Sequence, residues 1–270
     1  MAETRPKVTT PDIVARKGRG PKIVQVTCYD FPTAVLVDRA GVDIAMVGDS
    51  LAQVALGYDE TLNITLDEML HHVKAVVRAR PSALVIADMP FLSYQPSLKT
   101  AIRNAGRFLQ EGGAAAVKME GGRASVATIK AVVTAGIPVM GHVGQTPQSI
   151  HRFGGFVVRG LRPTEADQIL DDALAFQEAG AFAVTLEMMP AFLGKRITET
   201  LAIPTISSGA GPHCDGQVLI LNDLLGLNFG PVHPSCAKEY VALGEIAVGA
   251  LSRFADEVRT GVYPEPERWY

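Results

Sequence analysis

"EGGAAAVKMEGG", residues 111–122, frames a short apolar run with glycine pairs and places one lysine and one glutamate near its end. Gly113 stands where a helix terminus needs a left-handed residue. The run after it is rich in alanine and valine, as a strand buried on both faces should be. The same order recurs in "RAGVDIAMVGDS" (39–50), "TAGIPVMGHVG" (134–144) and "EAGAFAVTLEMMP" (178–190), with Gly41, Gly136 and Gly180 in the capping place. Helix, glycine and strand in repetition are the signature of parallel βαβ units.

Extended along the chain, the pattern predicts strands near 23–27, 43–48, 84–88, 114–118, 138–142, 182–187, 203–207 and 217–221. Helices fill the gaps, among them 65–80, 98–111, 124–135, 164–179 and 191–200, the first opened by a Thr65/Glu68 capping box. Eight strands in 270 residues favour a closed (β/α)8 TIM barrel, which needs about 250 residues, over an open doubly wound sheet. The weak point is 208–216, too short for a normal crossover helix. Residues 1–22 and 237–260 read as extra N- and C-terminal helices, and "GVYPEPERWY" (261–270) as an extended tail. Nothing marks a linker, so 1–270 is expected to be a single (β/α)8 barrel domain.

Composition narrows the class of function. The hydrophobic share of 47% can fill a sizeable core, and a net charge of -3 offers no basic face for nucleic acid. No apolar run approaches the roughly 18 residues of a membrane span. "MAETRPKVTT" has no apolar stretch, so a secretory signal is not expected. The three cysteines, Cys28, Cys214 and Cys236, fit neither a disulfide framework nor a zinc site. A reduced, cytoplasmic protein acting on small molecules is expected.

In such barrels chemistry sits at the carboxyl ends of the strands. Five consecutive strands end in ionisable residues: Asp49 with Ser50, Asp88, Lys118 with Glu120, His142 and Glu187. Each alone has a plainer reading, as a helix cap, a surface ion pair or a hydrogen-bonded structural histidine. Together, on one rim, they point to a site. Three carboxylates without converging cysteines or histidines suit a hard cation such as Mg²⁺. A 2-oxo acid would offer that cation two oxygens, a lysine would pair with the anion, and a further carboxylate could serve as general base. "GAG" at 209–211 looks like a phosphate cradle without a nucleotide fingerprint. His71 and His72 are adjacent on a helix and cannot share a face, and His213 with Cys214 reads as loop packing.

The series "VGDS", "ADMPF", "VKMEGG", "GHVGQTPQ", "TLEMMP" and "GAGPHCDGQVL", with "TCYD" at 27–30 and "GVYP" at 261–264, resembles the ketopantoate hydroxymethyltransferase family along nearly the whole chain. The resemblance implies a (β/α)8 barrel of the phosphoenolpyruvate/pyruvate type. It implies transfer of a one-carbon unit from 5,10-methylenetetrahydrofolate to 3-methyl-2-oxobutanoate, giving 2-dehydropantoate on the route to pantothenate and coenzyme A. Carried over, it makes Asp49, Asp88 and Glu120 the Mg²⁺ site, directly or through water. Asp49, Ser50, Asp88 and Lys118 would contact the keto acid, His142 would line it, and Glu187 would accept the proton. Homo-oligomers, often decamers, are also implied.

Four positions depart from the family's usual pattern. "ISSGAG" puts Ser207 and Ser208 where "IGIGAG" is usual, Gln145 replaces a leucine, and Asn63 replaces a proline. None is expected to touch the metal or the base. Three other readings compete: a Mg²⁺-dependent carbon–carbon lyase of the same barrel type, Schiff-base chemistry on Lys118, and a non-catalytic barrel scaffold. The lyase reading lacks a cysteine in "GGRASV" (121–126), the loop after strand four.

Overall fold

The computed structural model describes residues 5–230 and 233–269. Its strands are β1 Ile23–Thr27, β2 Ile44–Val47, β3 Leu84–Asp88, β4 Ala116–Glu120, β5 Val139–Gly144, β6 Ala183–Glu187, β7 Thr205–Ser208 and β8 Gly216–Leu219. All pair in parallel in chain order, and β8 returns to β1 through Ile23 and Gly216 to close the barrel. The helices are α1 Thr10–Ala15, α2 Phe31–Arg39, α3 Leu51–Val54, α4 Leu66–Arg78, α5 Leu98–Gln110, α6 Val126–Thr134, α7 Ile150–Phe153, α8 Pro163–Glu178, α9 Ala191–Thr200, α10 Leu221–Leu224 and α11 Leu243–Thr260. The open sheet is excluded. Backbone packing divides the chain into a barrel unit, Met1–Ile220, and a C-terminal unit, Leu221–Tyr270.

Local chemistry explains the repeat. In α4, Thr65 and Glu68 cap one another, the Thr65 N–H donating to Glu68 Oε2 at 2.8 Å. Met69, Leu70, Val73 and Val76 then fall on one buried stripe. Gly41, Gly113, Gly136 and Gly180 all adopt left-handed φ, at +77°, +77°, +87° and +96°. At Gly113 a Cβ would also lie 2.9 Å from Val77 Cγ1, so close helix packing requires glycine there. Inside the barrel, Ile23, Ile44, Leu84, Ile86, Met140 and Ile206 form an apolar plug that Val8 and Ile13 join. Truncating one of them, as in Ile86→Ala, should cost about 2–5 kcal/mol.

Several boundaries differ from expectation. β4 begins two residues later than predicted because the Ala114 N–H closes α5 by donating to Phe108 O at 3.0 Å. The shift draws Glu120 into the strand, on the same face as Lys118. Of the expected N-terminal helix only Thr10–Ala15 is helical among the described residues, and 1–4 lie outside them. The C-terminal helix starts at Leu243 rather than 237, because the Tyr240 and Leu243 N–H groups bond Leu224 O and Leu225 O. β7 and β8 are joined without a helix: Ser207 Oγ accepts from the Ala210 N–H at 2.9 Å and fixes the turn. The tail carries a 3₁₀ turn at Pro266–Arg268, with Trp269 Nε1 donating to Pro264 O at 3.1 Å. Among the described residues no helix is long and apolar enough to cross a membrane.

Candidate active site

Strand alternation and parallel register bring the strand-end residues together. Asp88 lies opposite Lys118 across β3 and β4, and Glu120 lies opposite His142 across β4 and β5. Asp49 and Ser50 begin the turn after β2, and Glu187 ends β6. Asp49, Asp88, Lys118, Glu120 and His142 are all buried, whereas Glu187 keeps 19% of its side chain exposed. Five ionisable groups without solvent need partners.

Lys118 Nζ meets Asp88 Oδ2 at 2.7 Å, and the Asp49 N–H donates to that oxygen at 3.1 Å. The other Asp88 oxygen, Oδ1, is buried and has no hydrogen-bond partner among the described residues. Burial, and then the charge of Asp88, push the Asp49 carboxyl up to about 7, although Lys118 opposes the shift. Burial pulls the Lys118 ammonium down, but Asp88 and Asp49 outweigh it and hold the amine charged, above its ordinary value. That is the reverse of what an amine nucleophile requires.

His142 sits between two carboxylates, with Nδ1 3.3 Å from Glu120 Oε2 and Nε2 3.4 Å from Glu187 Oε2. Neither contact is aligned as a hydrogen bond. Burial lowers the imidazole, the two glutamates more than offset it, and the ring is left raised to about 9. "AVTLEMMP" suggests apolar surroundings for Glu187, yet this histidine stands 3.4 Å from it, a contact invisible without the β5–β6 register.

Two neighbours of Glu187 are unexpected. Ser208 is its register partner on β7, and the Gln145 N–H donates to Glu187 O at 3.0 Å. Two of the four departures thus stand beside the expected base, contrary to the sequence reading. The Gln145 side chain is fully buried with Oε1 unpartnered. Ser207 instead braces the Gly209–Gly211 turn, which takes up the amide that a phosphate cradle would need.

The sequence reading also missed a set of polar residues beneath the acids. Tyr29 meets Ser50 Oγ at 3.0 Å. Gln148 bonds both Asp49 and Glu120, and the Tyr94 hydroxyl shares its one proton between Glu120 O at 3.0 Å and Gln148 Oε1 at 2.9 Å. "TCYD" and "GHVGQTPQ" contain Tyr29 and Gln148, but a polar loop residue reveals its target only after folding. Burial pushes the Cys28 thiol up to about 12, so it is no nucleophile.

The donor set suits a hard divalent cation. Among the described residues Asp88 Oδ1 is an oxygen lacking a partner, and burial, then the charge of Asp88, disfavour the charge of Asp49 beside it. Among the described residues, no three His, Cys, Asp or Glu side chains close into a cage for a metal. An ion here would keep positions for water and ligand, as Mg²⁺ usually does.

Comparison with known proteins agrees on class and then on family. Solved structures of a 2,3-dimethylmalate lyase, a PEP mutase/isocitrate lyase superfamily member (TM-score 0.61, 19% identity, 98% of this chain and 93% of that one), and of a phosphonopyruvate hydrolase (TM-score 0.63, 16% identity, 96% and 90%) share the barrel. The likeness is one of fold, a closed parallel (β/α)8 barrel. The sequence profile of ketopantoate hydroxymethyltransferase matches residues 7–266, and the chain belongs to that family of transferases. The 3-methyl-2-oxobutanoate hydroxymethyltransferase of Moorella thermoacetica is 56% identical over 97% of both chains. That of Pelobacter propionicus is 51% identical over 99% of this chain and 98% of its own.

Proposed function

We propose that this chain transfers a hydroxymethyl group from 5,10-methylenetetrahydrofolate to 3-methyl-2-oxobutanoate, giving 2-dehydropantoate, with Mg²⁺ as cofactor. The observation that carries the reading is the buried convergence of Asp49, Asp88, Lys118, Glu120, His142 and Glu187 at the carboxyl end of the barrel. Asp49 and Asp88 would hold the cation directly. Glu120, with Oε1 bonded by the Gln148 N–H at 2.6 Å and Oε2 facing His142, would act through water. When bound, Mg²⁺ supplies Lewis acidity at the keto oxygen.

The protein's own groups do the rest. Lys118 presents a fixed positive charge to the substrate carboxylate, and Ser50 orients it. Glu187, partly open to the rim, takes the proton from C3. The electron pair left on C3 bonds the folate-borne methylene carbon as the first of its two C–N bonds breaks. Water then adds its hydroxyl to that carbon as the second C–N bond breaks, and the two folate nitrogens take up the proton held by Glu187 and the proton left by water. His142, with Nε2 3.4 Å from Glu187 Oε2, stands beside the base. Ser208 and Gln145 beside Glu187 shape the space for the alkyl group or the folate.

A homo-oligomer, a decamer by family resemblance, is part of the same proposal, as is a cytoplasmic setting. Leu251, Phe254 and Val258 are exposed at three- and four-residue spacing on α11, an apolar stripe suited to a second copy. The whole reading is tested by incubating 3-methyl-2-oxobutanoate and methylenetetrahydrofolate with the protein, with and without Mg²⁺, and measuring 2-dehydropantoate. Product formed equally well in chelator would sink the metal assignment, and no product would sink the activity. A borohydride-trapped adduct on Lys118 would favour the Schiff-base route instead.

A further inference from the structure

We infer that Gln148 is a positioning residue that sets the spacing of the two outer carboxylates, Asp49 and Glu120, for the divalent cation. The inference rests on the Mg²⁺ reading above. Gln148 lies in the 3₁₀ turn Pro147–Ser149 after β5 and is buried. Its side-chain amide donates from Nε2 to Asp49 Oδ2 at 3.0 Å and to Met89 O at 2.9 Å. Its Oε1 accepts from Tyr94 OH at 2.9 Å and Gln95 Nε2 at 3.1 Å. Its backbone N–H reaches Glu120 Oε1 at 2.6 Å. Both amide hydrogens and both lone pairs are used, so the group can point only one way.

One residue therefore binds acids from β2 and β4 while anchored to the loop after β3. Its chemistry matters as much as its reach. A neutral amide restrains a carboxylate without cancelling its charge, which a lysine would do, and without adding repulsion, which a glutamate would do. Gln148 engages one oxygen of each acid, Oδ2 of Asp49 and Oε1 of Glu120. Tyr94 and Gln95 in turn lock the amide, so Asp49 and Glu120 keep their separation before any ligand enters. Preorganisation of this kind strengthens metal binding, and losing such an outer partner typically costs about 10–100-fold in affinity.

The test is calorimetric titration of the full chain with 3-methyl-2-oxobutanoate over a series of Mg²⁺ concentrations, for wild type, Gln148→Leu and Tyr94→Phe. Gln148→Leu should need about 10–100-fold more Mg²⁺ for half-maximal keto acid binding and recover near-normal affinity at saturating Mg²⁺. Tyr94→Phe, which leaves Gln148 in place but frees its amide, should shift the requirement the same way by less. If Gln148→Leu does not fold, Tyr94→Phe decides. A wild-type Mg²⁺ requirement in a folded variant, or an affinity loss that no Mg²⁺ concentration restores, overturns the inference while leaving the metal reading intact. A wild-type protein that binds the keto acid equally without Mg²⁺ overturns both.

Discussion

Asp215 and Asp88 stand at opposite ends of the barrel, one just before β8 and the other closing β3, and their surroundings differ in kind. Asp215 Oδ1 accepts from the Gly18 N–H at 2.9 Å, and Oδ2 accepts from the Thr205 N–H at 2.8 Å and from Lys17 Nζ at 2.9 Å. Burial alone would raise this carboxyl, but Lys17 and the two backbone donors outweigh it and hold it below the usual range. Asp43, also at the amino end, accepts from the Val24 N–H at 2.9 Å and pairs with Arg16 at 2.8 Å. Asp88 has one oxygen with no partner, a neighbouring carboxyl pushed up to about 7, and a histidine whose ring nitrogens face glutamates without well-aligned bonds. Filled valences fasten the amino end. Unfilled ones leave the carboxyl end able to bind.

The strongest test of this division is Glu187→Gln, which keeps size and removes proton-accepting capacity. Exchange of the substrate's C3 hydrogen in D₂O, followed by proton NMR, should fall about 10²–10⁴-fold. Keto acid binding and thermal stability should stay close to wild type. Exchange at the wild-type rate would assign the base elsewhere.

At the other end, Asp215→Ala should lower unfolding stability in urea by about 2–3 kcal/mol, since charge-assisted bonds to Lys17, Thr205 and Gly18 are lost. Its kcat at a temperature where it remains folded should match wild type. A folded variant with lost activity would break the separation of roles.

The pH profile sharpens the contrast. His142 is raised to about 9 and Asp49 to about 7 in the fold, both above their unfolded values. Groups raised by folding give stability that is lost as pH rises through the folded value. Metal-free protein should therefore lose thermal stability from about pH 5 to 9, first as Asp49 and then as His142 releases its proton. Mg²⁺ with keto acid should flatten the lower part of that slope by favouring ionised Asp49. A metal-free midpoint that climbs across this range would contradict the assignment.

The smallest effect belongs to Gln25, a polar residue in the wall of β1. It is buried, and among the described residues its Oε1 has no partner while its Nε2 meets the Met46 sulfur at 3.0 Å. It has the open valence of the carboxyl end without the converging acids. Gln25→Met should be neutral or stabilising by about 1 kcal/mol, with activity unchanged. A marked fall in C3 exchange would extend the functional region deeper into the barrel.

Much of this was legible in the residue order. Gly113 and Gly180 announced helix ends, and the uncharged runs before Asp88, His142 and Glu187 placed those residues on one rim. Strand limits were less so: whether Glu120 ends β4 or begins the loop depends on the Ala114 amide, which closes α5. Gln148 was illegible for a different reason. Its partners Glu120, Met89 and Asp49 lie 28, 59 and 99 residues away, and no periodicity marks a loop side chain that reaches so far. The same holds for Ser208 and Gln145, whose nearness to Glu187 is a matter of register rather than of sequence distance.

The pairing of β1 with β8 also governs the order of assembly during synthesis. Every ionisable residue of the site has been made by the time Glu187 is joined to the chain, yet the barrel cannot close until Gly216 has followed. Until β8 is available, β1 lacks the neighbour on its second side and is an open edge able to pair with another chain. Parallel pairing of strands so far apart in the chain is slow, which leaves this edge exposed to aggregation until the barrel closes.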